Sequence, residues 1–310
     1  MEISTVSVSF NRYEPAAVLK FAGEDVFSFL QGQFTQDLRP CLEGPNVAYG
    51  LWLNVKGKVL ADGFILRRGQ EWFYVSLFSA AQAVRERLEA NVIADDVTIE
   101  DVTAQWMGVS LLGSGVGGVF SALAEAALPE AGVWKQVRGG IIFQGRRAAE
   151  PNWEWLYPKD GDDHAEWLRA QGAQEISSED LERLRIEAAI PAIPRDLGPE
   201  DLPNEGGLER DAISYTKGCY LGQEVMARLK NLGKVRRRLV RVEGAGLAPV
   251  ELPAPLFADG KKLGELRSAV SVGNGFVGLA LISLLGMTGR RSLSVSPEGE
   301  DCIIIKDPSV

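Results

Sequence analysis

The sequence predicts an α+β chain that ends in a small all-β unit, because its hydrophobic period changes along its length. Near the start, three apolar and aromatic runs separated by short glycine turns read as an antiparallel meander, with helical spacing on either side. In the C-terminal stretch the helical period disappears. Short strands broken by Gly, Pro and Asn replace it.

In order, Ala16 to Phe21 is strand-like, and Gly23 to Gln33 puts Val26, Phe29 and Leu30 on one helical face. Tyr49 to Asn54, Val59 to Arg67 and Trp72 to Ser76 form the meander, with turns at Lys56-Gly57-Lys58 and Arg68-Gly69-Gln70. Ser79 to Asn91 returns to helical spacing, with Ala83, Val84, Leu88 and Val92 inward. A second α+β unit runs from about Val97 to Leu156, with a helix over Val119 to Leu128 and strands near Val133 to Phe143 and Trp153 to Tyr157. Ser177-Ser178-Glu179-Asp180 opens a helix with a capping serine and first-turn acids, and Pro191 and Pro194 stop it. Pro191 to Pro203 is a long ordered loop. After about Arg236, strands at Leu239 to Val242, Lys262 to Arg267, Phe276 to Ile282 and Cys302 to Lys306 suggest a barrel or sandwich. The expected division is therefore 1–235, an α+β region of two or more subdomains, and 236–310, a small β-barrel.

With 310 residues, 45% hydrophobic and 24% charged, the chain has the composition of a soluble globular protein. It opens without a basic, then apolar, leader, and no run approaches the ~20 apolar residues of a bilayer crossing, so a cytoplasmic address, no membrane partner and a monomer are expected. Cys41, Cys219 and Cys302 show no metal-ligand spacing, and no metal site is expected. A net charge of −9 argues against broad nucleic-acid binding. One local exception holds Arg228, Lys230, Lys234, Arg236, Arg237, Arg238 and Arg241 without an acid among them. It reads either as a solvated helix end and edge strand or as an anion surface, with tRNA contact through Lys234, Arg236, Arg237 and Arg238.

The chemistry concentrates in Lys217-Gly218-Cys219-Tyr220-Leu221-Gly222-Gln223-Glu224. A lysine two residues away and a helix beginning near Leu221 would both favour thiolate at Cys219, and the glycines allow a tight turn or a close approach to a ligand. A lone cysteine beside Gly and Tyr also reads as a small buried hydrophobe.

This octapeptide is similar to the signature of the YgfZ family of folate-binding proteins, within the glycine-cleavage T-protein superfamily. Leu202-Pro203-Asn204-Glu205 precedes it and Arg228 follows. Arg183-Leu184-Arg185-Ile186-Glu187-Ala188-Ala189-Ile190-Pro191 resembles the superfamily's Arg-x-Glu-x-Gly-x-Pro helix end, with Ala189 in place of the glycine. Lys56-Gly57-Lys58-Val59-Leu60-Ala61-Asp62 resembles its glycine turn before an acidic strand.

The resemblance implies ferredoxin-like subdomains around a central funnel in a T-protein-like arrangement, plus the C-terminal barrel. It implies tetrahydrofolate, or a one-carbon derivative, in that funnel. Asp62 matches the acid near folate N10 and Glu187 the acid that holds the pterin; Tyr220, Gln223, Glu224 and Arg228 come with the signature as further ligand contacts. Cys219, Lys217 and Asp62 are the expected reactive groups. The implied function is an accessory one, supporting iron–sulfur clients and through them tRNA modification. The alternative is a tetrahydrofolate-dependent aminomethyl or one-carbon transferase using Asp62. From the residues alone, Asp62 also reads as a strand-edge acid and Glu187 as a solvated helix carboxylate, and Trp52, Phe64, Trp72 and Tyr220 are the aromatic candidates to sandwich a pterin.

Two further motifs carry less. Gly113-Ser114-Gly115-Val116-Gly117-Gly118 fits a dinucleotide loop, but the next strand turns at once through Gly139-Gly140 where a ribose-binding acid is needed, which leaves a strand-to-helix turn. His164, the one histidine, sits in a polar run, Asp160-Gly161-Asp162-Asp163, and reads as a surface residue.

Overall fold

The computed structural model describes residues 7–124, 126–161, 164–233, 235–286, 291–300 and 302–306. Asp162, Asp163 and Lys234 lie outside them. The chain enters through β1 (Ser9–Tyr13), then builds a first sheet from β2 (Ala17–Ala22), β3 (Val47–Leu53), β4 (Val59–Arg68), β5 (Glu71–Ser76) and β6 (Thr98–Asp101). Its order is β3-β4-β5-β2-β6, with every pairing antiparallel. The second sheet takes β7 (Trp106–Leu112), β8 (Trp134–Val137), β9 (Gly140–Gln144), β10 (Asn152–Pro158) and β11 (Gln174–Glu175) and recruits β1, in the order β11-β1-β7-β10-β9-β8. The expected start at Ala16 thus misses a strand, whose partner β7 is far along the chain.

Helices cover the outer faces of both sheets. On the first, α1 (Val26–Gln33) and, after the short α2 (Pro40–Glu43), α3 (Ala81–Glu89) bury Val26, Phe29, Leu30, Val84 and Leu88 against Leu19, Phe21, Ile65 and Tyr74. On the second, α4 (Val116–Ala124) and α5 (His164–Ala170) bury Val116, Phe120, Ala165 and Leu168 against Phe10, Val109 and Trp155. The inner faces meet through Val18, Phe64, Leu66, Phe73 and Val75 on one side and Ile141, Phe143 and Leu156 on the other. Successive strand residues point to opposite faces, so Phe64 and Leu66 go one way and Ile65 the other. This four-layer stack explains why β3 and β4 read as near-continuous apolar runs: both faces are buried.

Two differences from the sequence reading, at the fourth helix and at His164, follow from tertiary packing, while the Gly113 turn agrees with it. The fourth helix starts at Val116, ahead of the expected Val119. His164 is buried, stacked 4.2 Å from the Trp155 ring and edge-on to Tyr157 at 4.5 Å, because α5 turns it inward from its polar run. The Gly113 turn does join strand to helix, yet its strand β7 pairs antiparallel with both neighbours, unlike a dinucleotide-binding unit.

The C-terminal barrel consists of β12 (Arg237–Ala245), β13 (Ala254–Ala258), β14 (Lys261–Val272), β15 (Gly275–Ser283), β16 (Ser292–Leu293) and β17 (Ile303–Ile305), ordered β13-β14-β15-β12-β17-β16. Two backbone bonds between Phe257 and Ser294, each 2.9 Å, nearly close the ring. Register shifts at Leu256/Phe257 and Leu266/Ser268 supply curvature. Val240, Val242, Leu266 and Phe276 fill the interior. Leu239, Val270, Leu279 and Leu281 point out, against Ile186, Ile193, Leu208 and Met226 of the α+β region. The barrel is therefore seated on that region through a shared core.

A buried charge network fixes the seat. Helix α6 (Ser178–Glu187) starts on the predicted cap: Ser177 Oγ accepts from the Asp180 backbone N–H at 3.0 Å. Its Arg185, 1% exposed, donates to Asp196 at 2.7 Å, to Glu182 at 2.6 Å and to Ser268 of β14 at 3.1 Å. Removing one partner of such a pair strands a charge, at about 3–5 kcal/mol.

Just beyond α6, Ala189 adopts φ +54°, the left-handed conformation that the superfamily's glycine would take without strain. The conformation costs an alanine about 1–2 kcal/mol, and glycine's looser unfolded chain returns about 0.4–1. Ala189→Gly is therefore expected to stabilise the protein by roughly 0.5–1 kcal/mol in urea denaturation; a lower midpoint would contradict this.

Candidate functional site

A cavity of about 650 Å³ opens between the β3–β4 edge of the first sheet and β9 of the second, with Gln36, Tyr49, Phe64, Gln144, Arg146 and Asp211 among its lining. The sheets are tied beside it: Val47 N–H donates to Gly132 and Trp134 N–H to Pro45, both at 2.8 Å. The volume suits a small organic ligand.

Asp62 is 6% exposed and is not part of the lining. It stands behind Tyr49, whose hydroxyl donates to Asp62 Oδ2 at 2.8 Å. Tyr49 faces Phe64 across the β3–β4 ladder and Leu51 faces Asp62, so the Tyr49–Asp62 contact runs diagonally between strands. Ser79 Oγ lies 3.2 Å from Oδ1 and Tyr74 donates to the Asp62 carbonyl at 2.6 Å. Burial raises the Asp62 pKa to about 6, against the opposing effects of the Tyr49 bond, the Arg146 charge and Ser79. The same burial, with the Asp62 charge, raises Tyr49. Arg146 lies over the Tyr49 ring, 4.1 Å from its centroid, and is ion-paired with Asp211. Cys41 also lines the cavity, but burial pushes its thiol up to about 12.

The signature loop is built on a different principle. Lys217, 5% exposed, turns its ammonium inward, where Nζ donates to the carbonyls of Gln31 and Phe34 at 2.7 Å and of Gln36 at 3.0 Å. Burial draws its pKa down to about 8, so it keeps its proton at neutral pH. All three of its protons are committed to carbonyls at the end of α1 and the turn that follows. The helix dipole also begins later than expected, since α7 (Gln223–Leu232) has Gly222 as its N-cap. Cys219 itself is exposed.

The loop and the Lys56-Gly57-Lys58 turn, far apart in sequence, touch through glycines. Gly57 has φ +69°, and a Cβ there would lie 2.9 Å from Val225 and Met226 side-chain atoms; Gly222 has φ +87°, and a Cβ there would lie 2.9 Å from the Asn54 carbonyl. Both positions combine a left-handed backbone with a close approach.

The structure does not gather the remaining expected contacts at the cavity. Glu187 ends α6, half-exposed and paired with Arg183 at 3.1 Å. Tyr220 is 6% exposed in the core beneath the loop, its hydroxyl without a partner among the described residues. Gln223, Glu224 and Arg228 lie on α7, the last two exposed. None of these lines the cavity. Trp52 and Trp72 belong to the α1–α3 core, whereas Phe64 reaches the cavity. The basic cluster is also broken up: Arg237 binds Glu205 at 2.9 Å and Asp201 at 3.0 Å, and Lys230 caps the Tyr215 ring at 4.4 Å. Arg236 stays exposed and Arg238 half-buried. Acids from the 201–205 segment, invisible in the local charge pattern, account for Arg237.

The GCVT N-terminal domain family model matches residues 8–142. Over 290 residues, 87% of this chain and 76% of the relative, the chain is 30% identical to the iron-sulfur cluster assembly factor IBA57, mitochondrial, of Homo sapiens. Over 238 residues, 73% of this chain and 68% of the relative, it is 31% identical to the tRNA-modifying protein YgfZ of Edwardsiella ictaluri. The chain belongs to the YgfZ/IBA57 family. The glycine cleavage system aminomethyltransferase T of Bartonella henselae shares the fold, with a TM-score of 0.79 over 98% of this chain and 86% of that one at 16% identity. Among the described residues no helix of this YgfZ/IBA57-family chain is long and apolar enough to cross a membrane.

Tyr49, Arg146 and Asp211 were not singled out in the sequence. Tyr49 had a signal: an acid inside the apolar run of β4 requires a donor from a neighbouring strand. Arg146 and Asp211 had none, since long-range folding alone brings them together.

Because the folded Asp62 pKa, about 6, exceeds the usual 3.8, the folded state holds this proton more tightly than the unfolded state does. The resulting stabilisation is present below about pH 4 and is lost as pH rises through 6. Asp62→Asn should therefore gain on the parent by on the order of 2–3 kcal/mol between pH 4 and 7 in paired denaturation curves. A constant difference across that range would show that Asp62 ionises without penalty.

Proposed function

We propose that this protein is a tetrahydrofolate-binding accessory factor that supports iron–sulfur cluster assembly or repair, and thereby tRNA modification. The observation that carries the reading is its family membership over most of the chain, with relatives named as an iron–sulfur assembly factor and a tRNA-modifying protein. The cavity supports the folate part: it offers a ligand aromatic walls, the Tyr49 hydroxyl backed by Asp62, and the Arg146 cation. In this reading Asp62 acts on the ligand through Tyr49. Cys219 is the thiol offered to clients, on a loop held by Lys217, and Tyr220, Gln223, Glu224 and Arg228 shape that loop rather than the folate site.

A transferase reading draws on the aminomethyltransferase fold and on Asp62, whose raised pKa suits proton transfer near neutral pH. The two readings part at Cys219, which a transferase would not need.

Calorimetric titration with tetrahydrofolate should give a Kd on the order of 1–100 μM, equivalent to roughly −8 to −5.5 kcal/mol. Asp62→Asn should weaken it about tenfold, a loss of about 1.4 kcal/mol. Cys219→Ser should bind folate like the parent yet fail to restore iron–sulfur client activity in cells lacking the protein. No binding at millimolar tetrahydrofolate would remove the cofactor, and full rescue by Cys219→Ser would favour the transferase.

A further inference from the structure

Arg146 is the one cation among the described residues lining the cavity. Its guanidinium is set by two neighbours, the Tyr49 ring beneath it and the Asp211 carboxylate bonded to Nη1. Its Nε is buried with no acceptor among the described residues. A planar guanidinium presents a fork that matches a carboxylate in two parallel bonds, and Asp211 is bonded to one nitrogen only.

Asp211 is poorly suited to be a permanent partner. Its side chain is 51% exposed, against 22% for Arg146. Its backbone is nevertheless held, because Gln36 Nε2 donates to the Asp211 carbonyl at 2.9 Å and Thr35 Oγ donates to the next carbonyl, that of Ala212, at 2.7 Å. The carboxylate can therefore leave Arg146 by side-chain rotation into water while the main chain stays in place. A pair with one end this exposed to water is weak, so an incoming anion displaces it at little cost. The other acid of the lining, Asp37, is engaged by Arg39 through Nε and Nη2 and does not compete for Arg146.

We infer that Arg146 is the specificity residue of this cavity, reading a carboxylate on the bound ligand, and that Asp211 is an internal stand-in for that carboxylate in the unliganded protein. The inference rests on the folate reading and refines it: the glutamyl end of the folate lies at Arg146, and the deeper Tyr49–Asp62 pair is left to the body of the ligand. Arg146 selects ligands with an anionic tail, and Asp211 sets how tightly they are held.

The test compares tetrahydrofolate with its diamide, in which both glutamyl carboxylates are neutral carboxamides of nearly the same size. By calorimetry the parent should prefer tetrahydrofolate at least tenfold, and Arg146→Gln should erase that preference while binding the diamide within about twofold of the parent. Asp211→Asn, which removes the stand-in but no core contact, should tighten tetrahydrofolate several-fold and leave the diamide unchanged; it decides the matter even if Arg146→Gln does not fold. Equal binding of the two ligands by the parent would leave the folate reading in place and overturn this one. Weaker tetrahydrofolate binding in Asp211→Asn would equally overturn it. Absence of binding by either ligand would remove the folate reading and this inference together.

Discussion

The ammonium of Lys217 is the constraint on which the site's geometry depends. Moving a charged amine out of water costs several kcal/mol unless its protons are satisfied, and here three carbonyls from one short stretch, Gln31, Phe34 and Gln36, satisfy them. The end of α1, the following turn and the signature loop must therefore form together. Backbone bonds from Ser214 to Thr35 at 3.0 Å and from Leu221 to Gly32 at 3.1 Å run alongside the cage. Gln36 belongs to both assemblies: its carbonyl receives Lys217 and it lines the cavity. The loop of the exposed cysteine and the cavity thus share one structural element.

A second constraint lies at the barrel. Arg185, Asp196 and Ser268 bind the end of α6, the 190–196 loop and β14 into one buried network. The same loop places the Ile193 carbonyl 3.0 Å from Ser79 Oγ, and Ser79 in turn contacts Asp62. The acid behind the cavity is thereby fixed from the barrel side as well as from its own sheet. Removal of water from this end of β4 is what holds the Asp62 pKa high.

Much of the fold was legible because local physics determined it. The β3–β4–β5 meander, the Ser177 cap with Asp180, and the start of the barrel strands all follow from period and turn chemistry, which act over a few residues. Pairings between distant segments were not legible. β1 carries no local sign that it will join β7, and Arg237 reads as a free cation until Asp201 and Glu205 arrive from another segment. The site divides in the same way. Sequence proximity sets Lys217 near the thiol, but that its ammonium is buried on the carbonyls of Gln31, Phe34 and Gln36 was not legible. Asp62 was found through resemblance and Tyr49 was inferable from the buried acid on its neighbouring strand, whereas Arg146 and Asp211 come together only through long-range folding.

Through residues 31–37, cavity and cysteine loop are joined as one unit. Hydrogen–deuterium exchange of the intact protein, with and without saturating tetrahydrofolate, tests it most directly. Ligand-dependent protection is expected around the cavity at 46–49 and 144–146, extending through 31–37 to the 214–221 loop. Protection confined to the cavity walls, with the 214–221 amides exchanging as in the free protein, would contradict it.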